Sequence, residues 1–347
     1  MKLTRDEHRS FMPPEAWALL KEEVVGNSTI AEHERSRNKC IENFPWGAFH
    51  IKPEKIDLKA VKAEMDKHLY GLEKSKKQIL KYLALLNQNP DAQIRPLLLV
   101  GAAGVGKSVV GKIIAKVINK PLKTVSMPSL SAGWQFTGTE KGWGNACPGI
   151  IVESILKKQE LPVFLFDEVD KTARYSSQYS TPQQGLLNLL DDSRAEFTDV
   201  FFEVPINLNS AFFILTANDL SECNEYMADR CRVIEIEGYK DLEERRIILE
   251  DYILPKLFEE CRLSDSNNSL SDEILDLILS ESHDPHGGLR ILQKQAENVA
   301  LELVFQKQQQ GSRKSVNTLL PVESVKSVLG ELYQNKPEKT VRIGFGR

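Results

Sequence analysis

The sequence predicts an α/β protein: a doubly wound parallel sheet, then a smaller helical domain, with a helical arm ahead of both. Three observations carry this expectation. Between about residues 57 and 239, short apolar runs alternate with amphipathic stretches at helical spacing. A glycine-rich turn joins one of these runs directly to a helix. Beyond Asp241 apolar residues recur only at helical spacing, with Ile247, Ile248, Tyr252, Ile253 and Leu257 on one stripe. The expected segments are a helical arm over 1–56, a large α/β domain over 57–239, a small helical domain over 240–335 and a basic tail over 336–347.

Within the arm, helical spacing is broken at Pro13-Pro14 and Gly26-Asn27-Ser28, so several short helices are expected, packed on the module or on a neighbour. The run Leu97-Leu98-Leu99-Val100 reads as a buried strand. It leads into Gly101-Ala102-Ala103-Gly104-Val105-Gly106-Lys107-Ser108, which satisfies the phosphate-binding pattern G-x-x-x-x-G-K-[ST]. Val109, Ile113, Ile114, Val117 and Ile118 then mark a helix. Glycines let such a loop curl until its N–H groups face phosphates, and the helix N-terminus adds partial positive charge. Gly101 through Val109 are therefore the candidate nucleotide-binding residues. Lys107 is placed to reach the β- and γ-phosphates, and the Ser108 hydroxyl to join a Mg²⁺ shell.

A second run, 163–166, ends in Asp167-Glu168 and delivers two carboxylates to the C-terminal edge of a strand. Phosphoryl transfer needs charge neutralisation and an orienting group at the nucleophile, which suits Asp167 as a Mg²⁺ partner and Glu168 as the group polarising water. A third strand, expected over 211–215, ends in Thr216-Ala217-Asn218 and brings Asn218 to the same edge, where it can orient the attacking water. Further on, Asp229-Arg230-Cys231-Arg232 precedes a strand expected over 233–236, and Gly287-Gly288-Leu289-Arg290 opens a long helical pattern running to Val304. Arg230 and Arg290 are the cations available for transition-state charge. Two polar stretches, 264–271 and 306–316, read as loops, and a last helix is expected over 322–332.

Composition sets limits. With 45 Lys and Arg against 49 Asp and Glu the net charge is −4, so no basic excess attracts a phosphate backbone and a nucleic-acid partner is disfavoured. Five cysteines without metal-ligand spacing suit a reducing cytoplasm. His283 and His286 beside Asp284 lack further ligands and read as a helix-start turn. The N-terminus is too charged for a signal sequence, and no apolar run approaches the ~18 residues of a spanning helix, so no membrane is expected.

The order of these motifs resembles the AAA+ ATPase module of Lon-type proteases across most of the chain. Phe44-Pro45-Trp46-Gly47 resembles the tryptophan motif ahead of that module, and Leu69-Tyr70-Gly71-Leu72-Glu73-Lys74 the segment that lies against adenine. Asp167-Glu168-Val169-Asp170-Lys171 and Thr216-Ala217-Asn218 match its Walker B and sensor 1 stretches. The resemblance implies ATP and Mg²⁺ as cofactors, Tyr70 and Gly71 at the base, and Arg230 as a finger reaching a neighbouring subunit's γ-phosphate, with nearby Arg232 unassigned. It makes Arg290 the sensor 2 arginine. It also implies a homo-oligomeric ring, with six subunits as the expected number. In Lon-like proteins the loop corresponding to 138–149 lines a central pore and grips polypeptide through an aromatic residue, the place Trp143 takes here. The Ser–Lys peptidase domain of such proteases does not follow within the 347 residues. The expected function is thus an ATP-driven ring that remodels, unfolds or translocates protein, without peptidase activity of its own and serving a separate protease or effector. A nucleotide-controlled switch for a partner protein is the alternative, and a nucleic-acid motor or loader a weaker one.

Overall fold

Five parallel strands form the sheet: Leu97–Val100 (β1), Leu122–Ser126 (β2), Val163–Asp167 (β3), Phe212–Ala217 (β6) and Arg232–Glu235 (β7), in the spatial order β2-β3-β6-β1-β7. Two short strands, Phe197–Thr198 (β4) and Pro205–Ile206 (β5), pair antiparallel as a separate hairpin. This is a computed structural model, and it describes residues 5–50, 55–89, 95–140, 142–171, 180–263, 270–310 and 321–334.

The inner strands are apolar because both of their faces are covered. Every residue of β1 is buried, as are the first four of β3 and the last five of β6. Phe164, Phe166 and Phe213 stack on one another in that core, and Phe136 meets Phe166 edge-on. The strand β2 was not anticipated individually: as an edge strand it buries only Val125, so Leu122, Lys123, Thr124 and Ser126 leave no clear alternation.

The chain divides into two compact units, one of Met1–Gly101 with Gly106–Ile236, the other of Ala102–Val105 with Glu237–Arg347. Helices of the arm belong to the first. Met12, Ala16, Ile41, Phe44 and Trp46 enter the same core cluster as β3 and β6, and Trp46 donates its indole N–H to the Ile41 carbonyl at 3.0 Å. Buried Arg37, on the helix Thr29–Asn43, pairs with Glu203 in the β4–β5 turn.

The second unit is helical among its described residues. Leu242–Ile248, a π turn at Leu249–Ile253 and Leu254–Glu260 run on from one another, the π turn preceding Pro255, whose ring nitrogen cannot donate to the turn behind it. Two expectations are corrected here. Gln306 to Gln310 is not a loop: the helix Arg290–Gln310 continues through it, because Gln and Lys are good helix formers, no glycine intervenes before Gly311, and Gln306 bonds Glu302 one turn back at 2.7 Å. The last helix extends to Gln334. Strand limits also move, with β6 running on to Ala217 and β7 starting at Arg232. The expected loop over 264–271 and the tail over 336–347 fall wholly or mostly outside the described residues. No described helix is long and apolar enough to cross a membrane.

Candidate nucleotide site

The strand order places the C-terminal tips of β1, β6 and β3 side by side, and each tip carries one of the candidate polar groups. In parallel sheets this edge is where ligands gather. From β1 the chain passes Gly101, whose N–H donates to Ala217 O at 3.1 Å, and reaches the helix Lys107–Val117 through Gly106. Gly106 has φ of 101° and Gly104 φ of 84°, left-handed values that side chains rarely adopt. A Cβ on Gly106 would strike the Leu69 side chain. Leu69 is fixed in turn by the buried Lys76, whose ammonium donates to Leu69 O at 2.7 Å and to Asp66 at 2.8 Å. Lys62 and Lys76 together hold the Asp66 carboxyl below its ordinary range. The segment that contains Tyr70 and Gly71 is thus led past the phosphate loop, and both Gly71 and Leu72 take left-handed φ before the helix Glu73–Gln88.

Lys107 is buried, yet its ammonium is satisfied: it donates to Gly101 O at 2.6 Å and to Asn218 Oδ1 at 2.9 Å. The Ser108 hydroxyl donates to Asp167, 2.9 and 3.1 Å from its two carboxylate oxygens. Thr216 on β6 donates to the same carboxylate through Oδ1 and accepts the backbone N–H of Glu168 at 3.1 Å. Glu168 itself has φ of 59°, and a non-glycine residue there carries a strain of order 1 kcal/mol or more. Gly101, Lys107, Ser108, Asp167 and Asn218 therefore converge, with the backbone of Glu168 beside them. Val109 follows, half-buried, in the first turn of the helix.

Other candidates lie elsewhere. In the second unit, the Leu289 N–H donates to Ala103 O at 3.0 Å, and a Cβ on Gly104 would come within 2.7 Å of Arg290 N, so the backbone at Arg290 abuts that part of the loop. The Arg290 side chain is exposed. Arg230 ends a short helix, Glu225–Arg230, with Nε 3.4 Å from Asp191 Oδ2, whereas Arg232 is exposed at the start of β7. At Asp284, the carboxylate accepts the His286 N–H at 2.8 Å, which makes the histidine pair part of a turn.

Trp143 stands at the end of a loop pinched at its neck. The Thr139 N–H donates to Cys147 O at 3.2 Å and the Cys147 N–H to Thr139 Oγ1 at 2.8 Å. The indole is 46% exposed, the largest aromatic surface on that loop. Behind the neck sits a residue that sequence reading missed. Asp199 is fully buried and accepts N–H groups from Gly149 at 2.7 Å and from Phe201 and Phe202 at 2.9 Å each. Burial pushes its carboxyl up to about 6 despite those three bonds. Gly138, with φ of 79°, has no room for a Cβ against the same carboxylate.

The residues fit a Mg²⁺–nucleotide complex. A hydroxyl paired with a carboxylate is a hard oxygen donor set, and the left-handed Gly104 and Gly106 give the loop the curl that a phosphate cradle requires. Bound Mg²⁺ supplies charge neutralisation at the phosphates. On the protein side, Lys107 contributes a fixed cation, Asp167 and Ser108 offer oxygen ligands, and Glu168 with Asn218 brings an acceptor and an orienting amide to the strand tips.

A buried lysine closing a glycine-rich loop after β1, followed by a serine bonded to the carboxylate at the tip of β3, defines a P-loop nucleoside triphosphatase. Residues 97–238 match the family model "ATPase family associated with various cellular activities (AAA)". The chain is 31% identical over 299 residues to Lon protease 1 of Bdellovibrio bacteriovorus, covering 84% of this chain and 37% of that protein. It is 33% identical over 259 residues to the mitochondrial Lon protease homolog of Homo sapiens, covering 74% and 26%, and 35% identical over 259 residues to the Lon protease of Clostridium beijerinckii, covering 74% and 32%. The chain carries an AAA+ ATPase module related to that of the Lon proteases. It spans about a third of the length of these relatives.

Proposed function

We propose that this chain hydrolyses ATP with Mg²⁺ and, as a ring of identical subunits, spends the cycle on pulling or remodelling protein substrates. The observation that carries the hydrolytic half is the pairing at the strand tips, where direct hydrogen bonds join Lys107 to Asn218 and Ser108 to Asp167. Arg230 supplies its guanidinium to a neighbouring copy. Its pairing with Asp191 at the protein surface is an inexpensive contact to exchange, since such pairs contribute about 0–1 kcal/mol. Arg290, whose backbone abuts Gly104, answers to the nucleotide of its own subunit.

The mechanical half rests on Trp143. An exposed indole on a neck-closed loop offers a large apolar contact that does not depend on substrate sequence. Five free cysteines suit a reducing compartment. The protein it serves is a protease or effector.

The test is ATPase turnover with and without an unfolded polypeptide. Turnover should rise with polypeptide in the native chain, and Trp143→Ala should keep basal hydrolysis while losing the rise. Retention of stimulation in Trp143→Ala would remove the threading role and favour a nucleotide-controlled switch acting on a partner. Stimulation by DNA instead would point to nucleic acid.

A further inference from the structure

We propose that Thr216 is the positioning residue of the hydrolytic centre, one hydroxyl that sets both members of the carboxylate pair. The proposal rests on the ATPase reading above and adds to it a residue to which the motifs give no role of its own. Thr216 lies inside β6, one step past the registered pair Phe166–Leu215, which brings it level with Asp167 on the neighbouring strand. It has no exposed surface. A hydroxyl buried there must be bonded, and it has one hydrogen to give and lone pairs to receive.

Both capacities are used, and they are used on the two catalytic candidates. The hydrogen goes to Asp167 Oδ1, the oxygen that Ser108 Oγ also approaches at 2.9 Å. The lone pair receives the Glu168 N–H at 3.1 Å. On the far side of the same residue, the Glu168 carbonyl accepts the Lys171 N–H at 3.0 Å. Glu168 is therefore tied at both backbone groups while it holds φ of 59°, a left-handed value in which a glutamate does not rest without support. Remove the hydroxyl and two things change together. The metal-facing carboxylate loses the donor that selects its rotamer, and the chain after β3 loses the bond that holds the glutamate in its turn.

The structure around Thr216 supplies a clean substitution. Valine has nearly the same shape, suits a strand and fills the same buried space, yet it offers no hydrogen bond. Thr216→Val should bind ATP without Mg²⁺ as the native chain does, because Lys107 and the loop are untouched. Mg²⁺ should then strengthen that binding several-fold less than in the native chain, and kcat should fall about 10- to 100-fold with little change in KM. Thr216→Ser should restore most of both, since it returns the hydroxyl. Thr216→Ala serves as the partner of Thr216→Ser if valine impairs folding, because those two differ by the oxygen alone.

The deciding measurement is calorimetric ATP binding at zero and saturating Mg²⁺, with turnover run beside it. An unchanged Mg²⁺ effect and unchanged kcat in Thr216→Val would overturn the assignment. So would a serine variant as impaired as the valine or alanine one, since packing rather than the hydroxyl would then be responsible. A native chain that binds Mg²⁺ and ATP but turns nothing over would sink the ATPase reading instead, while the valine variant's loss of the Mg²⁺ effect would still uphold the role of Thr216.

Discussion

The Lys107 ammonium donates to the side-chain oxygen of Asn218 at 2.9 Å, across the tips of two adjacent strands. The lysine proposed to reach phosphate and the amide proposed to orient water are thus held in one geometry by each other. Removing either should still give separable results. Lys107→Ala should lose nucleotide affinity outright, because a buried cation is replaced by nothing. Asn218→Ala should retain ATP and lose about 100-fold in kcat, the size seen when one positioned polar group is deleted from a transition-state site. Glu168→Gln should keep ATP bound and stall turnover. Fluorescent-nucleotide titration beside phosphate release checks all three, and equal loss of binding in the three variants would contradict the division of roles.

Arg230 gives a test of assembly. Its guanidinium lies 3.4 Å from Asp191 of its own chain, not among the residues at the strand tips. If it completes a neighbour's site, Arg230→Ala should bind ATP and hydrolyse none. Mixing it with the inactive Lys107→Ala should recover part of the activity, since some interfaces then join an intact pocket to an intact arginine. The mixing curve decides the matter: no recovery at any ratio, under conditions where the variants co-assemble, would remove Arg230 from a neighbour's site. Arg232→Ala, altering an exposed residue on β7, should leave turnover within about twofold of native, as surface changes usually do.

The cysteines report on the Trp143 loop. Cys147 is exposed at the loop's neck, whereas Cys231 is buried and its thiol is pushed up to about 12 by that burial. Since the thiolate is the reacting form, a maleimide at neutral pH should label Cys147 in the folded protein and Cys231 only on unfolding. Unfolded polypeptide should slow the labelling of Cys147 if the loop grips it. Mass spectrometry of timed, quenched samples gives both rates, and a Cys147 rate indifferent to polypeptide would count against the grip.

What could be read from the chain was whatever its order alone encodes. The β1 strand, the loop after it and the helix Lys107–Val117 are consecutive, and each announces itself by apolar spacing or glycine placement. The carboxylates of Asp167 and Glu168 were legible for the same reason, as the end of an apolar run. The role of Thr216 was not, because it depends on register between strands 49 residues apart. The only hint was its place two residues before Asn218. Asp199 was hidden more deeply: nothing about Thr198-Asp199-Val200 shows that the carboxylate will be sealed from water against Gly149, 50 residues away. The different settings of Arg230 and Arg232 were not legible, because both flank Cys231 and only the fold separates a helix end facing Asp191 from an exposed strand start.

Asp199 makes stability depend on pH in a direction opposite to that of an ordinary paired carboxylate. Its ordinary value is 3.8, and burial raises it to about 6 in the folded chain, with the three backbone donors offsetting only part of that. Between those two values the folded protein holds a proton that the unfolded chain has released. The group's contribution to stability is therefore fully present below about pH 4 and is lost as pH rises through about 6. At about 1.4 kcal/mol for each tenfold change in acidity, the whole effect is on the order of 3 kcal/mol. Asp199→Asn cannot titrate, so the stability of the native chain relative to this variant should decline by roughly that amount between pH 4 and pH 7, as read from denaturant midpoints across the range. A difference that stays flat over this window would show that the carboxylate is not sealed in solution. The same variant has a consequence at the loop. Asparagine keeps one oxygen for the N–H groups of Phe201 and Phe202, but it turns an amide nitrogen toward the N–H of Gly149, where two donors cannot bond. The return strand of the Trp143 loop then loses its anchor while the strand-tip cluster is untouched. Basal hydrolysis should survive in Asp199→Asn and stimulation by unfolded polypeptide should fall, so a variant that loses both equally would mean that Asp199 supports the whole α/β unit rather than the loop.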